Sequence, residues 1–253
     1  MKRSYGLTNR GLVRDNNQDT FFASDDEGIW LVADGMGGRH GGEVASEIAR
    51  STIVTAIKQG QGSKASIKNA NRDILKYGCE HQDYKGMGTT VVVVMEKDFN
   101  IEINWVGDSR AYLWRKNKLF QLSTDHSVVQ RLLDGGMITK KEAINHPKRN
   151  LVTSVLGMAI ERDSDLEIGH LDLQWRNGDK LLLCTDGLSD ELLDEDIQSI
   201  MLTNSDSKQQ VEALLQAALI AGGRDNTTVL IIESPKIKSA RSRFMAWIKP
   251  FSR

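Results

Sequence analysis

Apolar residues fall into short runs along this chain, from Ile29 to Ala33, Thr89 to Met95, Ile101 to Val106, Ala111 to Arg115, Lys180 to Cys184 and Thr227 to Ile232. Several are β-branched and apolar at every position, which predicts strands buried on both faces, as in the middle of a layered core. Short turns join the pieces between Thr89 and Gln121, which predicts antiparallel hairpins. A different period marks helices. Ala45, Ala49, Ile53 and Ile57 recur at four-residue steps from Glu43 onward, and Val211, Leu214, Leu215, Ala218 and Leu219 follow amphipathic spacing. Lys64 to Tyr77 is a more polar third helix. Strands with helices on one side predict an α+β layered domain. The stretch from Asp125 to Gly157 reads as short helices plus an irregular excursion, either covering a site or making a plain surface connection.

Two of the apolar runs end in the same dipeptide, Asp34-Gly35 and Asp186-Gly187. Each predicts a buried strand that delivers a carboxylate at its C-terminal end, with a flexible glycine beyond. Gly35 would let the backbone turn so that its carbonyl can face a metal. Asp108 and Asp225 sit at strand edges in similar settings. Carboxylates brought together repel by up to ~4 kcal/mol per pair at 4 Å with an effective dielectric near 20. A fold that gathers several therefore calls for protons or a hard, oxygen-preferring cation. Asp-Gly is also a common turn dipeptide, so either pair alone fits an ordinary turn. The glycine-rich turn after Asp34 could instead cradle a phosphate, but it has neither a P-loop lysine nor a dinucleotide fingerprint.

Composition narrows the possibilities. The 253 residues are 40% hydrophobic and 26% charged, which fits one large globular domain. A formal net charge of −1 removes whole-molecule attraction to nucleic acid, and no nucleic-acid partner is expected. No apolar stretch follows the basic N-terminal residues as in a secretory leader, and no run approaches the ~20 residues of a membrane span. Cys79 and Cys184 form no CxxC and read as reduced thiols of a cytoplasmic protein. A monomer is expected.

Read in order, the motifs say more. They are Arg14…Asn17-Gln18-Asp19, Ala33-Asp34-Gly35-Met36-Gly37-Gly38, Gly86-Met87-Gly88-Thr89-Thr90, Val106-Gly107-Asp108-Ser109-Arg110, Cys184-Thr185-Asp186-Gly187-Leu188-Ser189-Asp190 and Asp225-Asn226-Thr227-Thr228. The chain resembles the metal-dependent type 2C serine/threonine protein phosphatases, in their bacterial branch, over about residues 4 to 233. The resemblance implies a four-layer α-β-β-α sandwich, two antiparallel sheets flanked by helices. It implies a catalytic domain over 1–234 and leaves 235–253 as a basic amphipathic C-terminal tail. It also implies roles. Asp34 would bridge two Mn²⁺ or Mg²⁺ ions, with the Gly35 carbonyl on one and Asp186 and Asp225 completing the other. Asp19 would act mainly through metal-held water, with Gln18 hydrogen-bonding such water. Asp108 with Asp186 would hold a weaker third ion, and Arg14 would grip the substrate phosphate. The implied activity is hydrolysis of phosphoserine and phosphothreonine in proteins by a hydroxide between two ions. No covalent phosphoenzyme forms, and a serine/threonine kinase is opposed.

Some positions depart from the family pattern. Gln18 stands where many members carry Glu, and a neutral amide adds no charge to a metal site. Met36 stands where animal relatives carry a histidine, and a thioether cannot donate a proton. His40 reads as an exposed loop residue, and His126 and His146 as loop-orienting. Asp190 reads as a residue behind the metal ligands, or as a turn residue or a cap on the helix that follows. In the tail, six Lys or Arg residues alternate with apolar ones and no acid. That pattern suits an anionic membrane surface, a docking partner or a soluble tail. Two other functions fit less well. A catalytically dead phosphoprotein-binding scaffold would be expected to have lost metal aspartates, and a calcium-binding module would show EF-hand spacing.

Overall fold

The computed structural model describes residues 3–159, 166–204 and 206–235. Two antiparallel sheets stack face to face. The first contains β2 (Asp19–Ser24), β3 (Ile29–Met36), β5 (Val91–Lys97), β6 (Asn100–Val106) and β9 (Gly169–Gln174) in that order, with the short β4 (Gly88–Thr89) paired to β3. The second has the order β1 (Ser4–Asn9), β11 (Thr227–Glu233), β10 (Lys180–Cys184), β7 (Arg110–Arg115) and β8 (Lys118–Gln121). Helices α1 (Gly38–Lys58) and α2 (Ser63–Glu80) cover the first sheet. The second is covered by the short α5 (Asp186–Ser189) together with α6 (Asp194–Thr203) and α7 (Ser207–Ala221).

The period-two geometry of a strand explains the unbroken apolar runs. β3 sends Ile29, Leu31 and Ala33 toward α1 and α2, and Trp30 and Val32 into the core between the sheets. β10 does the same on the other side, with Leu181 and Leu183 between the sheets and Leu182 and Cys184 beneath the outer helices. Three apolar layers thus separate four layers of structure, as the resemblance implies.

Two expectations change. The run from Thr89 to Met95 is not one strand: the ladder breaks at Thr90, whose backbone N–H and hydroxyl both bond to Asp34. The turns between Thr89 and Gln121 do include the β5–β6 and β7–β8 hairpins. The link Val106 to Arg110, however, crosses from one sheet to the other and carries Asp108 to the end of the sandwich. The Asp125–Gly157 stretch contains α3 (Val128–Asp134) and α4 (Lys140–Ile144). No helix among the described residues is long and apolar enough to cross a membrane. The tail beyond Pro235 lies outside the described residues.

Candidate metal centre

Strand register alone sets the first acidic pair. In the β2–β3 ladder Asp19 stands opposite Asp34, a pairing that places two carboxylates on one face and is destabilising for like charges. Hydroxyls fix both residues. Asp19 Oδ2 accepts from Thr185 Oγ1 at 2.8 Å and Thr228 Oγ1 at 2.7 Å, both from the other sheet. The Asp34 carbonyl accepts from Thr89 Oγ1 and from Thr90 N–H, each at 2.8 Å. Thr90 Oγ1 in turn lies 2.6 Å from Ser109 Oγ, which ties this strand end to the crossing that carries Asp108.

The second sheet supplies the rest. In the β10–β7 ladder Cys184 pairs with Arg110, so Asp186 and Asp108 each lie two residues beyond that pair, at the same end. Asp225 lies two residues before β11, the strand on the other flank of β10. The carboxyls feel one another. Burial, followed by the charges of Asp186 and Asp19, raises Asp34 well above the usual carboxylate range. Burial pushes Asp19 up to about 7 against the pull of its two hydroxyl donors. Asp186 also rises to about 7, through burial and then the charges of Asp190 and Asp225. Asp108 rises through burial, then Asp186 and Asp125.

Both Asp-Gly glycines differ from the flexible residues expected. Gly35 is inside β3, and a Cβ there would stand 2.0 Å from the Gly42 carbonyl oxygen of α1. Gly187 is helical, and a Cβ there would stand 2.0 Å from the Asn226 carbonyl oxygen. Neither turns through a left-handed conformation. Each marks where a second backbone passes too close for any side chain.

Arg14 reaches the centre from the loop between β1 and β2. Its Nε and Nη2 donate to Asp225 Oδ1 and Oδ2 at 2.8 and 2.6 Å, a bidentate fork that raises its own pKa. Gln18 Nε2 donates to the Gly38 carbonyl at 3.2 Å, at the start of α1. The sequence reading gave no role to Asn226. Its buried amide donates to the carbonyls of Arg10 and Asn16, both at 2.9 Å, and accepts Gln18 N–H at 2.8 Å. Asn226 thereby clamps both ends of the loop that bears Arg14. Its place beside Asp225 was the only signal. Thr185 and Thr228 were also missed, because a threonine beside an aspartate carries no mark of its partner across the sandwich.

Other residues fall into place around the centre. Asp190 ends α5 and donates its N–H to the Asp186 carbonyl at 2.7 Å, while Leu193 precedes α6, so Asp190 does not cap that helix. The charge of Arg149 acts on Asp190, which brings the Asp125–Gly157 stretch beside the site. His126 Nδ1 accepts Gly107 N–H at 3.2 Å and its own N–H donates to the Gly107 carbonyl at 2.9 Å, steadying the residue before Asp108. His40 is exposed and 3.8 Å from Glu43.

Among the described residues, no three His, Cys, Asp or Glu side chains enclose a point as a closed metal cage would. Asp225 is turned onto Arg14 with both oxygens. The donor set still fits hard cations. Asp19 Oδ1 and Asp186 Oδ1 are buried without a hydrogen-bond partner. Every candidate ligand is an oxygen, and buried carboxylates of this kind are stabilised by a cation.

Comparison with known proteins gives a consistent picture. The sequence profile of the protein phosphatase 2C family matches residues 13–219. The chain is 34% identical over 247 residues to the serine/threonine phosphatase stp of Listeria welshimeri, covering 92% of this chain and 96% of that protein. The crystal structure of the Mycobacterium tuberculosis serine/threonine phosphatase PstP superposes with a TM-score of 0.83 at 34% identity, over 92% of this chain and 99% of that one. A structure of the PstP catalytic domain in complex with two manganese ions superposes with a TM-score of 0.81 at 32% identity, over 91% of this chain and 97% of that one.

Proposed function

The chain belongs to the protein phosphatase 2C family, and from that premise we propose how its own residues carry the reaction. It is a metal-dependent serine/threonine protein phosphatase. In our reading Asp34 would be shared by two Mn²⁺ or Mg²⁺ ions, with the Gly35 carbonyl, Asp186 and Asp225 completing the residues that would hold them. Asp19 would act at one remove, and Asp108 with Asp186 would hold a weaker third ion. Bound cations of this kind neutralise phosphoryl oxygens and make water a nucleophile at neutral pH.

The observation that carries this reading is the pair of partnerless buried oxygens, Asp19 Oδ1 and Asp186 Oδ1, among carboxyls raised by burial and by each other. The chain's residues do the remaining work. Arg14, whose side chain is 56% exposed, lies on Asp225 in this structure and would turn its planar fork to the phosphate of a phosphoserine or phosphothreonine once Asp225 turns to a cation. Asn226 holds the Arg14 loop in register with Asp19. Ser109 is buried and bonded to Thr90, so it is no nucleophile, in keeping with direct hydrolysis without a phosphoenzyme. Met36 offers no proton to the leaving alkoxide. The protein's physiological role is to oppose a serine/threonine kinase.

The test is turnover of p-nitrophenyl phosphate and of a phosphothreonine peptide. Both activities should disappear in EDTA and return with Mn²⁺. Metal-independent turnover would sink the proposal.

A further inference from the structure

The turn that delivers Arg14 also displays two aliphatic side chains. Leu12 is 68% exposed and Val13 is 66% exposed. Isolated exposed aliphatics such as Ile220 on α7 are ordinary. This pair differs in two respects. The two residues are adjacent, and their turn is held in place. Leu12 N–H donates to the Gly223 carbonyl at 2.7 Å, Arg10 Nη1 donates to the Asp15 carbonyl at 3.2 Å, and Asn226 binds the carbonyls on both sides. The turn that displays the two aliphatics is thus pinned at Leu12 N–H and at both ends. They stand next to Arg14, whose fork lies on Asp225 at the centre.

We propose that Leu12 and Val13 form an apolar platform for a substrate polypeptide, taking a large aliphatic side chain that flanks the phosphorylated residue. The inference rests on the phosphatase reading above. Val13 is the chain neighbour of Arg14, whose fork reaches Asp225, so a phosphate that meets Arg14 would bring its flanking residues to this turn. The centre, once its carboxylates hold cations, would draw the phosphate and little else of a peptide. Apolar contact at the rim supplies binding that charge does not.

The experiment compares phosphothreonine peptides with Leu or Ser at the flanking positions, on the unaltered protein and on the Leu12→Ser/Val13→Ser double variant, in Mn²⁺. Every kcat/KM is divided by that of the same protein on p-nitrophenyl phosphate, which has no flanking residue. The unaltered protein should prefer the Leu peptide by about tenfold, the scale of one apolar side chain in a pocket, with the difference in KM. The double variant should lose that preference. Equal preference in the two proteins overturns the platform while leaving the phosphatase reading intact. Absence of turnover of the small ester by the unaltered protein overturns both. A concentration-dependent dimer that the double variant abolishes assigns the patch to a second copy and also overturns the proposal. Thermal melting of the variant checks that its fold is kept.

Discussion

Strand β2 carries a carboxylate at each end, and the two fare in opposite ways. Just past its C-terminal end, Asp25 accepts the Arg3 N–H and the Ser4 hydroxyl, each at 2.6 Å, and the Trp30 indole N–H at 3.2 Å. Burial alone would raise Asp25, but the Ser4 hydroxyl, the Arg3 N–H and the Trp30 indole together hold it below the usual range. Beside it Glu96 receives the Arg3 guanidinium at 3.0 Å and the Trp175 indole at 2.8 Å. At the other end Asp19 is pushed up to about 7 and keeps one oxygen without a partner. The chain closes one end of its sandwich with its own donors. At the other it gathers carboxylates beyond what its donors satisfy, and that is the end where we place the chemistry.

The largest expected break in this comparison is Asp34→Ala. Losing a bridging ligand costs several kcal/mol of transition-state stabilisation, so kcat on p-nitrophenyl phosphate should fall by about 10³-fold or more. A smaller fall would mean that Asp34 does not bridge.

Next comes metal removal, read as stability rather than rate. Asp19 and Asp186 titrate near 7 in the folded chain, against about 4 when unfolded. Between those values the folded state holds more protons, so in EDTA stability should fall as pH rises from about 4 to 7. Mn²⁺ at pH 7.5 should reverse the loss, by about 2.7 kcal/mol at a hundredfold excess over its dissociation constant. Melting curves that do not respond to Mn²⁺ would remove the cation from this end.

Asn226→Ala should act through Arg14. It strands the donors and acceptors that the amide satisfies, a cost of about 1–3 kcal/mol in a buried site. The KM for phosphopeptide should rise more than kcat falls. A uniform loss tracking the melting temperature would reduce Asn226 to a stability role.

The smallest effect belongs to the closed end. Asp25→Asn should cost about 1 kcal/mol at neutral pH and leave kcat unaltered. Because folding lowers the Asp25 pKa, its contribution is full above about pH 4 and fades as pH falls through the lower folded value. Urea unfolding at pH 7 and at about pH 2.5 should show the difference between variant and parent shrink.

The strands legible in the sequence are interior ones, β3, β5, β6, β7, β10 and β11, whose both faces are buried. Those not read were β1, β2, β8 and β9, the edges of the two sheets. An edge strand buries less and mixes polar with apolar positions, so β9 alternates Gly-His-Leu-Asp-Leu-Gln and β8 is Lys-Leu-Phe-Gln. α1 was legible in its apolar stripe but begins at Gly38 rather than Glu43, because its glycine-rich first turn carries no period. Aspartates were visible as candidates because a carboxylate at the end of an apolar run is conspicuous. Asn226, Thr185 and Thr228 were not, since their value lies in partners 166 to 216 positions away.

The sequence by itself determined the layered α+β core, through apolar runs that only two buried faces can accommodate, and the acidic, oxygen-only character of the centre. Tertiary structure alone decided that Asp19 stands opposite Asp34, that the Val106–Arg110 link crosses between sheets, and that Gly35 and Gly187 yield to passing backbones. The reason is physical. Periodicity and composition report what one segment needs to bury, whereas register and close approach depend on which distant segment meets that need.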